Sequence, residues 1–100
     1  MMRISPSNSL TVVIPALNEE EAIGGTIQRC LEVRQEIMSS AGLEFLEIIV
    51  VSDGSTDRTA EIARGFPDVQ VVEFKTNRGN GASIKEGFRQ GKGSLVGFLD

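Results

Sequence analysis

Apolar, β-branched runs alternate with segments of helical periodicity along this chain of 100 residues. Such alternation is typical of βαβ units, in which helices cross over a sheet to join parallel strands. The run Ile48-Ile49-Val50-Val51 is apolar at every position, which indicates a strand buried on both faces. The pattern predicts strands over 10–14, 45–51, 69–74 and 95–99, and helices over about 19–38, 56–65 and 81–90.

These elements predict an α/β fold with a four-stranded, mostly parallel sheet and three helices. Right-handed crossovers would place the first two helices on one face of the sheet and the third on the other, giving three layers. We expect a tail over 1–9 and the domain itself over 10–100, truncated after the fourth strand. The helices still needed to cover the sheet would then follow residue 100, and the isolated chain would expose an apolar patch and self-associate.

Composition excludes several kinds of active site. Cys30 is the only cysteine, so no internal disulfide can form. The chain has no histidine, which rules out Ser-His or Cys-His catalysis and Cys/His zinc sites within it.

Charge and hydropathy bear on partners and location. The net charge is −4 and the basic residues are dispersed, which argues against nucleic-acid binding. No apolar run approaches the ~20 residues of a membrane span. The start, Met1-Met2-Arg3, lacks the apolar region of a signal peptide, so we expect a cytoplasmic protein.

Candidate ligand-binding residues follow each predicted strand. Ligands of open parallel sheets bind at the carboxyl ends of strands, where the strand order reverses. Glu19 offers a carboxylate for ribose hydroxyls, and Asp53 offers an acceptor for a base N–H. Segment 78–82 combines Arg78 with small residues that let backbone N–H groups approach phosphate. Asp100 ends the fourth strand, a position typical of a ligand to a hard cation.

Each of these features also has an ordinary structural explanation. Pro15 and Gly54 can simply end strands, segment 55–57 is typical of a helix start, and Arg78 can be a surface charge. Known nucleotide motifs are incomplete: Gly91-Lys92-Gly93 fails the Walker A pattern, and no glycine follows the first strand as a dinucleotide fingerprint requires. The prediction therefore depends on all four segments meeting at one edge.

Four segments together resemble the family 2 glycosyltransferases of the GT-A (Rossmann-like) fold. Within that family the chain is most similar to the polyprenyl- or dolichyl-phosphate sugar synthases. The segments are TVVIPALNEE (11–20), IVVSDGSTD (49–57), NRGNGA (77–82) and VGFLD (96–100).

The resemblance implies roles for ten residues. Asp100 corresponds to the first acid of the D-x-D motif, which holds a divalent cation (Mg²⁺ or Mn²⁺). The donor-nucleotide contacts it implies are Pro15, Leu17, Glu19, Ser52, Asp53, Arg78, Gly79, Gly81 and Ala82.

The implied activity is transfer of a sugar from a UDP- or GDP-linked donor to an acceptor such as a polyprenyl phosphate. The family's mechanism is inverting and metal-dependent, and a lipid acceptor implies work at the cytosolic face of a membrane. The general base is expected beyond residue 100, so this fragment would be inactive alone. Two alternatives stay open: a nucleotidyltransferase-like enzyme, and a non-catalytic nucleotide-binding or interaction module.

Overall fold

The computed structural model describes residues 8–93 and 95–98. Their order is strand, helix, strand, helix, strand, helix, strand, as predicted. The elements are β1 (Ser9–Ala16), α1 (Ile23–Ala41), β2 (Phe45–Asp53), α2 (Thr59–Arg64), β3 (Val69–Phe74), α3 (Asn80–Gln90) and β4 (Leu95–Phe98).

The four strands form one sheet in the order β3-β2-β1-β4, and every neighbouring pair is parallel. From β1 the chain moves outward through β2 to β3, and then returns to the other side of β1 to form β4. The strand order therefore reverses between β1 and β4. In α/β sheets a reversal of this kind is where a ligand crevice forms.

The helices cover both faces of the sheet, which confirms the predicted layers. On one face α1 and α2 pack on β1 and β2, with Ile23, Ile27 and Ala63 in the same buried cluster as Ile14 and Val50. On the other face α3 packs against β1 and β2. A second buried cluster there contains Val13, Ile49, Val51 and Phe74, with Ala82 of α3 packed on it.

The first two strands run further than predicted. β1 continues through Pro15 to Ala16, and Pro15 stays in register with Val51. The fixed φ of proline suits an extended strand, and only one N–H is lost from the ladder. β2 likewise continues to Asp53, so this carboxylate belongs to a strand end and not to a loop.

The first two helices begin later than predicted, at Ile23 and Thr59. Segment 19–22 forms a turn, in which the Glu19 N–H bonds to the side chain of Thr59 at the start of α2 and the Glu20 N–H to that of Asp57 in the loop after β2. Tertiary hydrogen bonds therefore override the helical pattern at this point. Within the described residues, no helix combines the length and apolar character that crossing a membrane requires.

Candidate functional site

Three loops meet at the carboxyl edge of the sheet. We name them the first loop (17–22, after β1), the second loop (54–58, after β2) and the third loop (75–79, after β3). Parallel strands bring their carboxyl ends to the same edge, which is why segments far apart in sequence lie side by side.

The first and second loops are joined by hydrogen bonds. The Asn18 side-chain oxygen accepts bonds from the Thr56 N–H (2.8 Å) and hydroxyl (3.3 Å), and the Asn18 N–H donates to Ser55 Oγ (3.0 Å). The Glu19 N–H donates to Thr59 Oγ1 (2.8 Å). Asn18 has a φ of 51°, a conformation that Asn tolerates better than most residues. The second loop thus holds the first by bonds to its backbone.

Asp57 closes the same network. Its carboxylate accepts bonds from the Thr59 N–H (2.9 Å) and hydroxyl (2.5 Å), and from the Glu20 N–H (3.2 Å). The hydrogen bond from the Thr59 side chain is the main cause that lowers the pKa of Asp57 from its ordinary value of 3.8. Asp57 therefore satisfies the first N–H of α2 and ties that helix start to the first loop.

The second and third loops are joined through Asp53. One of its carboxylate oxygens accepts the Arg78 N–H (2.7 Å), the other accepts the Gly79 N–H (2.9 Å), and the residue is only 4% exposed. Gly54 lies directly under the third loop: a Cβ there would stand 2.4 Å from the Asn77 nitrogen. Its φ of +74° also favours glycine.

The Arg78 side chain lies over an aromatic ring. Its guanidinium carbon is 4.5 Å from the centre of the Phe74 ring, a cation–π distance. Phe74 ends β3 and is 8% exposed. Within the described residues, the Arg78 guanidinium makes no hydrogen bond or ion pair.

The remaining predicted residues lie around the same edge. Pro15 and Ser52 are buried at strand ends, and the Ser52 hydroxyl bonds to Ser55 Oγ (2.9 Å). Leu17, in the first loop, is 42% exposed. Gly79 precedes α3, and Gly81 and Ala82 lie in its first turn. Asp100, the predicted metal ligand, is outside the described residues.

Four residues with contacts at this edge were not among the predicted site residues: Asn18, Asp57, Thr59 and Phe74. Asn18 stands next to the predicted Glu19, and the pattern Asp57-x-Thr59 is a local capping signal that points to a turn. Nothing in the sequence distinguishes Phe74 from an ordinary strand residue. Its contact with Arg78 depends on how the third loop folds back.

A pocket of about 330 Å³ lies beside the first loop, lined by Asn18, the segment 19–22 and Asp57. Four carboxylate side chains line it, so it would repel a diphosphate. Within 8–93 and 95–98, no group of three Asp, Glu, His or Cys side chains comes together to hold a metal. The candidate site for a diphosphate is therefore the edge where Asp53 and Arg78 meet, and not this acidic pocket.

Comparisons with known proteins show the family of the chain. The family model described as glycosyl transferase family 2 matches residues 11–100. A dolichyl-phosphate beta-glucosyltransferase of Drosophila melanogaster is 34% identical over 102 residues, covering 96% of this chain and 31% of that protein. An undecaprenyl-phosphate 4-deoxy-4-formamido-L-arabinose transferase of Pectobacterium carotovorum is 37% identical, covering 97% of this chain and 30% of that protein.

Solved structures show the same GT-A fold. The mannosyltransferase PcManGT of Pyrobaculum calidifontis, solved with GDP-Man and Mn²⁺, superposes with a TM-score of 0.69 at 26% identity, over 93% of this chain and 26% of that one. TarS 1–349 of S. aureus gives a TM-score of 0.71 at 27% identity, over 92% of this chain and 27% of that one. The chain spans about a third of the length of the curated relatives that it matches. With the family model matched along nearly its whole length, the chain belongs to glycosyltransferase family 2.

Proposed function

We propose that this chain binds the nucleoside-diphosphate sugar donor of a glycosyltransferase that passes the sugar to a polyprenyl phosphate with inversion. The observation that carries the proposal is the joining of three loops at the carboxyl edge, through Asp53, Asn18 and Asp57. Such an edge, next to a reversal of strand order, suits a nucleotide. Membership of glycosyltransferase family 2 supports a nucleotide that carries a sugar.

The donor contacts follow the order of the loops. The first loop and the end of β2 would hold the base and ribose, and the third loop with the start of α3 would face ribose and diphosphate. UDP and GDP are both candidates, and the Pyrobaculum neighbour is a complex with GDP-Man. The proposed residues are Pro15, Leu17, Glu19, Ser52, Asp53, Arg78, Gly79, Gly81 and Ala82.

The divalent cation, Mg²⁺ or Mn²⁺, is a separate part of the proposal. The described residues do not supply a metal-binding group of their own. Support comes from the resemblance of Asp100 to a metal ligand and from the Mn²⁺ bound to the Pyrobaculum neighbour. We assign no step of the reaction to this cation.

The acceptor and the location follow from the relatives. Their names specify dolichyl phosphate or undecaprenyl phosphate, which are lipid phosphates. We propose an acceptor of this class, and therefore activity at the cytosolic face of a membrane.

Calorimetric titration of the chain tests donor binding. UDP, GDP, UDP-glucose and GDP-mannose would be titrated with and without Mn²⁺, with ATP as the comparison ligand. We expect one of the two diphosphate series to bind, and Arg78→Ala to weaken its binding about tenfold, as expected for loss of a charge-assisted contact. The matched control is Arg29→Ala, which removes an exposed charge from α1.

Two results would contradict the proposal. Tighter binding of ATP than of either diphosphate series would favour a nucleotidyltransferase-like enzyme. Binding of no nucleotide at all would favour an interaction module that shares only the fold.

A further inference from the structure

Among the described arginines, Arg78 is the one whose guanidinium lies over an aromatic ring; Arg29 and Arg34 also form no ion pair there. Three other arginines form ion pairs with glutamates: Arg58 with Glu61, Arg64 with Glu73, and Arg89 with Glu86. Within the described residues Arg78 has no such partner. Its guanidinium is a cation at the candidate site whose N–H donors are not engaged.

Glu86, the carboxylate whose pKa the charge of Arg78 affects, already accepts hydrogen bonds from other residues. Glu86 accepts bonds from Arg89 and Gln90 (2.7 Å), and these lower its pKa to about 2. The charge of Arg78 makes only a small contribution to that shift. Glu86 therefore does not consume the hydrogen-bonding capacity of Arg78.

Two buried residues hold Arg78, one through its backbone and the other through its guanidinium. The Asp53 carboxylate accepts its backbone N–H, and the Phe74 ring lies under its guanidinium. Asp53 and Phe74 are partners in the register of β2 and β3, so both contacts start from the same point of the sheet. Gly54 lies against the backbone of the third loop, so the second and third loops are in close contact next to Asp53.

Holding a long side chain before the ligand arrives has a physical benefit. An unrestrained arginine loses rotamer freedom when it binds, and that loss is subtracted from the affinity. A guanidinium already stacked on a ring loses less. It also keeps its planar fork of N–H donors free for a phosphate, which it can bind through two bonds.

We propose that Phe74 and Asp53 are positioning residues, which hold Arg78 for contact with the diphosphate of the donor. The inference rests on the proposed function, because it needs a diphosphate ligand at this edge. It assigns Phe74, which no motif contains, to the donor site. It also gives Asp53 a role through the third loop that does not require contact with the base.

The test compares a ligand that has phosphates with one that lacks them. UDP and uridine, or GDP and guanosine, would be titrated into the full chain and followed by NMR. Phe74→Leu should weaken diphosphate binding about two- to fivefold, the range expected for an exposed cation–π contact, and leave nucleoside binding unchanged. Phe74→Tyr keeps the ring and should restore binding.

A double-mutant cycle separates positioning from general destabilisation. If Phe74 acts through Arg78, Phe74→Leu should have no further effect in the Arg78→Ala background. Asp53→Asn acts on the backbone N–H groups of Arg78 and Gly79, which Arg78→Ala keeps, so it is tested in the wild-type background, where unchanged diphosphate binding would remove Asp53 from the proposal. An undiminished effect of Phe74→Leu in the Arg78→Ala background would overturn the proposal. So would an equal loss of nucleoside and diphosphate affinity in Phe74→Leu, because that pattern means that the ring supports the whole site and not the Arg78 side chain in particular.

Matched controls are available on the same chain. Phe88→Leu removes a 43% exposed ring from α3, and Asp68→Asn neutralises an exposed carboxylate in the turn before β3. Neither should change binding. If the wild-type chain binds no diphosphate, the proposed function and the positioning both fail. If it binds but Phe74→Leu matches wild type, only the positioning fails.

Discussion

At the scale of single residues, the candidate site depends on a glycine that cannot be replaced without moving a loop. Gly54 combines a positive φ with close approach of the third loop's backbone at Thr76 and Asn77. A side chain there meets backbone atoms, which cannot rotate away. The sequence motif indicates a turn at this position, and the structure shows that the same glycine also lets two loops touch.

Gly54→Ala should destabilise the fold by more than about 1 kcal/mol, because a non-glycine residue in the left-handed region already costs that much before the clash is added. Urea unfolding measures the change in the free energy of unfolding. The control is Gly81→Ala in α3, where an added Cβ meets nothing within 4 Å. That variant should be neutral or stabilised by up to about 1 kcal/mol, and equal losses in both variants would contradict the explanation.

At the scale of elements, hydroxyl and carboxylate side chains connect the loops to the helix starts. Thr59 begins α2 and is fully buried, and its hydroxyl accepts the Glu19 N–H while donating to Asp57. One side chain therefore fixes both the start of α2 and the path of the first loop. The predicted helix start at Glu19 is wrong: α1 begins at Ile23, and the Glu19 N–H bonds to the first residue of α2.

Thr59→Val keeps the shape of the side chain and removes the hydroxyl. The Glu19 N–H then loses its partner, and we expect a loss of about 1–3 kcal/mol in unfolding free energy. Thr59→Ser keeps the hydroxyl and should lose clearly less. The hydrogen-exchange rate of the Glu19 amide should rise in the valine variant and stay unchanged in the serine variant. An unchanged exchange rate in the valine variant would show that the bond does not hold the first loop.

Asp57 makes the connection between the loops dependent on pH. Because its folded-state pKa lies below the ordinary 3.8, the carboxylate adds stability above that pH, and the gain is lost as the pH falls through the lowered pKa. The stability difference between wild type and Asp57→Asn should therefore stay constant from pH 7 to about 5 and shrink below about pH 4. Thermal unfolding at several pH values measures this stability difference. A difference that grows toward low pH would contradict the prediction.

At the scale of the whole molecule, α3 lies very close to the face of the sheet formed by β1 and β2. Gly87 of α3 lies against Val13 of β1, where a Cβ would come within 2.4 Å of a valine methyl. This close contact brings the start of α3, with Gly81 and Ala82, over the same sheet that carries Asp53. The distance between the two layers therefore sets the geometry of the candidate site.

Gly87→Ala should destabilise the protein by about 1–3 kcal/mol through overpacking between α3 and β1. The matched control is Gly24→Ala in α1, whose Cβ would make an ordinary contact 3.6 Å from Ile62. That change should be neutral or slightly stabilising, since alanine favours helices. If both variants unfold at the same denaturant concentration, the layers are not in close contact at Gly87.

The alternation of apolar runs and helical periodicity by itself determined the order of elements, the parallel sheet and the two helical layers. These features follow from local periodicity and from the handedness of crossovers, which need no long-range information. The motifs likewise located the three loops at one edge. Tertiary structure alone decided the path of the first loop before α1 and what Asp53 contacts. Those outcomes depend on bonds between residues 20 to 40 positions apart, such as Glu19 with Thr59 and Asp53 with Arg78, and no local pattern encodes them.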